Sequence, residues 1–179
     1  MYSEMLILET NRLTLHEFKK SDAVFLLNIM NQPDYHRYIG DRGIRTIENA
    51  ETYIAEKFEA SYRHLGFGFW LIREKESRTP VGFAGLIKRE ELSEPDVGYA
   101  IDEKMSGNGF AEEATRGILT YVRDVLSFPV VSAITDPENH ASINVLTKCG
   151  FHFDECVPVF DDGEALNVYR LKMDNNDVY

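Results

Sequence analysis

The sequence has few of the features that stabilise small secreted proteins or anchor a chain in a membrane. Its 179 residues contain two cysteines, Cys149 and Cys156, which excludes a disulfide framework. The five histidines show no ligand spacing with those cysteines, so we expect no metal site. No apolar run approaches membrane-spanning length, and the first residues do not resemble a signal peptide. These absences predict a reduced, cytoplasmic protein.

Basic residues are also scarce. The chain has 19 Lys and Arg against 30 Asp and Glu, a net charge of −11. Nucleic-acid-binding surfaces are basic, so this balance argues against that class and against an anionic membrane surface. It suits a cationic partner. Apolar residues make up 44%, and no repeat or linker appears, which predicts one globular domain over residues 1–179.

Helical and strand-like patterns follow one another along the chain. Ser21 and Asp22 are cap-type residues before a first helix, and Thr46 and Gly66 bound a longer second helix. Further helices follow the glycine-rich turn near residue 107 and Asn139. Alternating and β-branched segments predict strands over 13–16, 67–73, 81–88, 96–101, 130–134, 157–160 and 166–171.

A glycine-rich turn at residues 106–109, Ser-Gly-Asn-Gly, opens one of these helices. Gly107 and Gly109 allow left-handed backbone angles, and the helix behind them presents unpaired amides and a positive dipole end. The turn is therefore either a simple helix start or an anion site for a pyrophosphate. Phe110 stands where a Walker loop has Lys, and Glu112 where the dinucleotide fingerprint has glycine, so neither motif applies.

Four segments in order carry a family resemblance that spans about residues 8–171. They are an opening strand over Leu8–Leu15, a central strand over Val97–Ile101, the glycine turn and helix start over Ser106–Ala114, and an Asn-x-x-Ser to Gly-Phe stretch over Asn139–Phe151. Together they resemble the Gcn5-related N-acetyltransferase (GNAT) superfamily. Within it, the chain is similar to the Rim-type branch of ribosomal-protein N-terminal acetyltransferases.

The resemblance implies an α/β (α+β) fold: a splayed, mixed, mostly antiparallel sheet of seven strands flanked by about four helices. It implies acetyl-CoA as cosubstrate and no metal. The pantetheine arm would pair with the backbone of Tyr99, Ala100 and Ile101, where the fourth and fifth strands separate. The pyrophosphate would rest on the amides of Ser106, Gly107, Asn108, Gly109, Phe110 and Ala111. Ser106 departs from the family's Gln or Arg, which removes a long side chain but no amide.

The resemblance also places two polar residues beside the donor arm. Asn139 is interpreted as a helix cap, as a ligand of the pantetheine arm, or as both. Many relatives carry a proton-donating tyrosine four residues beyond Ser142, but this chain has Leu146 there. The Rim-type branch has a serine at the position of Ser142, and the resemblance implies that this hydroxyl hydrogen-bonds the departing sulfur. The alternative is an ordinary helix serine.

The attacking amine must lose a proton, which calls for a nearby base. Asp96 stands where relatives often carry an acid, and Asp161 lies beside Asp162 in a late loop that would face the acceptor. Each acid is also interpretable as solvated surface charge, although together they suggest an acidic acceptor mouth. The candidate bases are Asp96, Asp161, Asp162, Glu90, Glu91 and His140.

The predicted reaction is direct acetyl transfer from acetyl-CoA to a primary amine in a ternary complex. The leading acceptor is a protein N-terminus, such as that of a basic ribosomal protein, because an α-amino group (pKa about 8) deprotonates more readily than lysine (about 10.4). The alternatives are a small amine, such as a polyamine, an amino-acid derivative or an antibiotic, and a non-catalytic acetyl-CoA-binding module. Exposed edge strands leave a homodimer open.

Overall fold

The computed structural model describes residues 5–160 and 163–174. Within them, eight strands form one sheet in the order β1-β2-β3-β4-β5-β6-β8-β7. All neighbouring strands pair antiparallel except β5 and β6, which pair parallel. The strands are β1 (Leu6–Glu9), β2 (Leu13–Glu17), β3 (Phe69–Glu74), β4 (Pro80–Ile87), β5 (Asp96–Ile101), β6 (Val130–Thr135), β7 (His152–Pro158) and β8 (Ala165–Lys172).

Local sequence signals set most helix boundaries. The Thr46 hydroxyl accepts a hydrogen bond from the Asn49 amide, and Gly66 ends the helical run that starts there, as predicted. That run contains a π-helical turn, Ile54–Glu59. Pro33 begins a short helix because its missing N–H is not needed at the first helical position. The helices are α1 (Ala23–Met30), α2 (Pro33–Tyr38), α3 (Ile47–Tyr53), α4 (Ala60–Leu65), α5 (Phe110–Tyr121) and α6 (His140–Lys148).

The sheet is covered on both faces, and alternate residues of β5 show this. Val97 belongs to the apolar cluster that packs α5 and α6 against the sheet, and Tyr99 and Ile101 pack against it. Ala100 belongs to the opposite cluster, which includes buried residues of α1 and the α3–α4 run. Because strand side chains alternate, Asp96 and Tyr99 therefore project from opposite faces of β5.

The mixed, mostly antiparallel sheet is confirmed, but it has eight strands where we expected seven. The sequence around Leu8 predicted one opening strand, whereas the chain reverses after β1 and the Thr10 amide donates to the Leu13 carbonyl at 2.9 Å. The strand predicted over residues 157–160 is also misplaced, since β7 begins at His152. Most of β7 is exposed, so it lacks the apolar alternation from which strands are predicted.

Candidate functional site

The sheet opens between its two parallel strands. β5 and β6 share one register pair, Asp96 with Ser132, and the Ser132 amide donates to the Pro95 carbonyl at 3.0 Å. β5 stays paired with β4 along its whole length. The opening therefore lies between Tyr99 and Ile101 of β5 and the later part of β6, at the place that the resemblance implied.

Backbone groups of β5 face this opening. The Asp102 amide donates to the Val81 carbonyl at 2.9 Å, and hydrogen-bonded pairs recur at every second residue of an antiparallel ladder. Ala100 and Gly98 thus bond to β4, whereas the N–H and C=O groups of Tyr99 and Ile101 point into the opening. Of the three residues predicted to pair with the pantetheine arm, Ala100 directs its backbone N–H and C=O groups toward β4 and away from the opening.

The predicted pyrophosphate loop lies just beyond the end of β5. Gly107 has a φ of 79° and Gly109 a φ of 77°, so both need the left-handed angles that favour glycine. Gly109 is the N-cap of α5 and supplies no side-chain cap, which leaves the amides of the first turn available for an anion. The Asn108 side chain donates to the Met105 carbonyl at 2.9 Å and steadies the loop. Ser106 is exposed, and its backbone amide is part of the predicted cradle.

A polar clamp holds the start of α5 against the turn between β1 and β2. The Glu113 carboxylate accepts hydrogen bonds from the Thr10 hydroxyl at 2.6 Å, from the Arg12 amide at 2.7 Å and from Arg12 Nε at 2.7 Å. The Arg12 guanidinium lies 4.8 Å from the centre of the Phe110 ring. The sequence contained Thr10 and Arg12 in the resembling segment, but no local pattern connected them to Glu113.

Removing this clamp should destabilise the protein. Burial alone would raise the pKa of Glu113, but hydrogen bonds from Thr10 and Arg12 outweigh it and leave the pKa below its usual 4.5. We expect Glu113→Ala to lower the free energy of unfolding at neutral pH by about 2 kcal/mol, because it leaves the donors of Thr10 and Arg12 without their charged acceptor. The loss should be full above pH 4.5 and shrink as pH falls through the folded pKa, because both states then bind the proton.

Glu112→Ala is the matched control for this clamp. Glu112 makes a partly exposed pair with Arg116 at 3.0 Å, which is worth less than about 0.5 kcal/mol. Urea titrations of both variants between pH 3 and pH 7 measure the difference. Equal losses for the two glutamates would show that Glu113 acts as an ordinary surface charge.

Two predicted donor-arm residues meet at the start of α6. The Asn139 side-chain oxygen accepts the Ser142 amide at 3.1 Å, so Asn139 caps the helix. The Tyr99 hydroxyl donates to Ser142 Oγ at 3.1 Å and joins β5 to α6 beside the opening. Burial raises the pKa of Tyr99 to about 12, so the phenol keeps its proton. The family resemblance implied a role only for the backbone of Tyr99.

Asp96 lies where β5 and β6 separate, and its side chain is 1% exposed. Its carboxylate accepts a hydrogen bond from Arg89 Nε at 2.9 Å, and the Arg89 guanidinium stacks on Phe160 at 5.3 Å. Burial raises the pKa of Asp96 to about 6 although Arg89 lowers it. A carboxylate with that pKa is ionised at neutral pH and remains basic enough to accept a proton. Arg89 therefore sets a positive charge directly beside this predicted base.

The other predicted bases are exposed or lie outside the described residues, and Cys149 is a protonated thiol. Glu90, Glu91 and His140 are exposed. Asp161 and Asp162 lie outside the described residues. Cys149 is buried, and burial raises the pKa of its thiol to about 11. Cys149 is therefore a protonated thiol at neutral pH and is unsuited to act as a nucleophile.

Two kinds of feature are absent from residues 5–160 and 163–174. No helix in these ranges combines the length and apolar character needed to cross a membrane. The same ranges hold no cluster of three or more His, Cys, Asp or Glu side chains arranged to bind a metal ion.

A sheet that opens beside a helix N-terminus without a side-chain cap offers strand hydrogen bonds and an anion site to an extended, phosphate-bearing ligand. Residues 12–152 match the family model described as the Acetyltransferase (GNAT) domain. The chain therefore belongs to the GNAT family of N-acetyltransferases.

Individual relatives agree with this assignment. The N-acetyltransferase YoaA of Bacillus subtilis (strain 168) is 29% identical over 148 residues, covering 81% of this chain and 82% of YoaA. The acetyltransferase structure from Agrobacterium tumefaciens str. C58 aligns with a TM-score of 0.78 at 23% identity, covering 96% of both chains. At that identity the likeness concerns the fold.

Two solved structures with this fold differ in acceptor. RimL, a ribosomal L7/L12 α-N-protein acetyltransferase in complex with coenzyme A, has a TM-score of 0.75 at 16% identity over 96% of this chain and 99% of its own. Spermidine N-acetyltransferase from Vibrio cholerae, in complex with CoA and spermine, has the same score and identity over 90% of this chain and 96% of its own. The fold alone does not distinguish a protein acceptor from a polyamine.

Proposed function

We propose that this protein transfers the acetyl group of acetyl-CoA to the N-terminal α-amino group of a protein, as RimL does. The observation that supports the proposal is that Asp96 and Tyr99, whose hydroxyl bonds Ser142 Oγ at 3.1 Å, project from opposite faces of β5 where it separates from β6. Asp96 would act as the base on one face, and Ser142 would offer its hydroxyl on the other. Donor and acceptor can therefore meet between them without a covalent enzyme intermediate.

The donor is held mainly by backbone. Tyr99 and Ile101 offer strand hydrogen bonds to the pantetheine arm, and the amides from Gly107 to Ala111 offer an anion site for the pyrophosphate. When bound, acetyl-CoA supplies the acetyl group as a thioester. Ser142 then lies near the sulfur end of the arm, where its hydroxyl hydrogen-bonds the departing thiolate.

Asp96 would remove the proton from the attacking amine, directly or through one water. The new bond joins the amine nitrogen to the acetyl carbon, and the carbon–sulfur bond breaks. The amine proton moves to the Asp96 carboxylate, and the thiolate takes a proton from solvent. With a pKa of about 6, Asp96 is better matched to an α-amino group near ~8 than to an amine near ~10.4.

An amine panel tests the acceptor. Thiol release from acetyl-CoA would be measured with short peptides that have free basic N-termini, with the same peptides N-blocked, and with polyamines and amino-acid derivatives. We expect release with free but not with blocked peptides. Release with small amines alone would assign the protein to the second class of acceptor. Stoichiometric binding of acetyl-CoA without release for any amine would contradict the proposed transfer.

A further inference from the structure

Ser142 differs from the other hydroxyl residues of its helix and of α5. Thr115, Thr120 and Thr147 each donate their hydroxyl to the carbonyl four residues earlier, at 2.8, 3.1 and 2.8 Å. Within the described part of the chain, no such bond uses the Ser142 hydroxyl proton. Ser142 Oγ instead accepts the Tyr99 hydroxyl at 3.1 Å. The proton of Ser142 is therefore available for another acceptor.

We propose that Tyr99 is a positioning residue that directs the Ser142 hydroxyl toward the coenzyme A sulfur. A hydroxyl has one proton and two lone pairs. Because the Tyr99 proton occupies one lone pair of Ser142 Oγ, the serine acts as a donor on its remaining side. This inference rests on the proposed function, in which Ser142 stabilises the thiolate.

The surroundings of Tyr99 keep its hydroxyl protonated and able to donate. The side chain is partly buried against the cluster that contains Leu146 and Cys149, and burial raises its pKa to about 12. Ser142 Oγ, at 3.1 Å, lies closer to the Tyr99 hydroxyl than the Ser142 carbonyl does, at 3.5 Å. Two linked hydroxyl groups polarise each other, which strengthens the bond that Ser142 gives to an anion. The contact also joins β5 to α6 beside the opening between β5 and β6 into which the pantetheine arm would extend.

The thiol of bound coenzyme A provides a direct test that does not require turnover. Titrating the ultraviolet absorbance of its thiolate in complexes with wild type, Tyr99→Phe and Ser142→Ala gives the pKa of the bound thiol. We expect that pKa to be lowest with wild type, to rise by about half a unit in Tyr99→Phe, and to rise by about one unit in Ser142→Ala, where one unit is a tenfold change. Affinity for desulfo-coenzyme A should be equal in all three.

Steady-state kinetics provide the second measurement. Tyr99→Phe should lower kcat about three- to tenfold with little change in KM for acetyl-CoA, and should have little further effect in a Ser142→Ala background. Tyr62→Phe is the matched control, because it also removes a buried phenol, one bonded to the Phe69 carbonyl. That variant should lose stability without a change in the thiol pKa.

Two results would overturn the inference in distinguishable ways. If Ser142→Ala raises the bound thiol pKa and Tyr99→Phe leaves it unchanged, Tyr99 has no positioning role and the role proposed for Ser142 stands. If neither variant changes the thiol pKa, Ser142 does not contact the sulfur, and both assignments fail.

Discussion

Replacing Asp96 by asparagine should lower kcat/KM for the amine acceptor by about 100- to 10,000-fold, the range associated with loss of a general base. The amide would keep the shape of the side chain and a hydrogen bond to Arg89, but it cannot accept the amine proton. KM for acetyl-CoA should change little, because the donor contacts begin at Tyr99 and the glycine turn. Initial rates with a saturating donor and a range of acceptor concentrations measure the loss.

Glu91→Gln is the matched control for this substitution. Glu91 is also a carboxylate, it is exposed, and it lies close enough to raise the pKa of Asp96. Its loss should change the acceptor rate by less than about threefold, since a solvated charge is largely screened. Full activity in Asp96→Asn would assign Asp96 to structure and leave solvent or another acid as the base.

The pH dependence of the free energy of unfolding tests the raised pKa of Asp96 independently of activity. Its folded pKa, about 6, lies above its usual 3.8, so the folded state binds this proton more tightly than the unfolded state does. The associated stabilisation is full below pH 3.8 and is lost as pH rises through about 6. Wild type should therefore lose about 3 kcal/mol over that window from this group, and Asp96→Asn should lack the step. Urea titrations across the window compare the two.

Local sequence predicted the elements that local chemistry controls. The bounds of β5, Asp96–Ile101, agree with the prediction because Pro95 and the apolar alternation limit that strand. Thr46 and Asn139 cap their helices because each side chain reaches an amide within the same turn. These signals act over three or four residues. They suffice to order the strands and to locate the glycine turn beside the opening.

The interactions that complete the site join distant parts of the chain. Glu113 binds a turn about one hundred residues earlier, and Tyr99 reaches Ser142 across 43 positions. Arg89 pairs with Asp96 at a separation of only seven residues, but the charge pattern could not reveal that the Asp96 carboxylate would be buried beside a partly exposed arginine. Such contacts depend on how strands are ordered in the sheet. Periodicity therefore predicted the helix and strand types better than it predicted the side-chain partners.

The glycine pair across β4 and β5 controls how these strands are packed, and the two members should respond very differently to alanine. Gly85 and Gly98 are register partners. A Cβ at Gly85 would lie 1.9 Å from the Gly68 carbonyl oxygen, to which the Leu86 amide donates at 3.2 Å. A Cβ at Gly98 would meet the Phe69 ring at 3.2 Å and the Cδ1 atom of Ile87 at 3.8 Å.

We therefore expect Gly85→Ala to lower the free energy of unfolding by at least about 3 kcal/mol, because a rigid backbone carbonyl must move and its hydrogen bond is lost. Gly98→Ala should lose about 1 kcal/mol or less, since the edge of the Phe69 ring can rotate away. Urea denaturation of both variants at neutral pH measures the contrast. Equal losses would mean that the backbone at Gly68, just before β3, moves as easily as an aromatic ring does. The backbone packed against β4, and through β4 the strand β5 that is proposed to pair with acetyl-CoA, would then be less rigid than this packing requires.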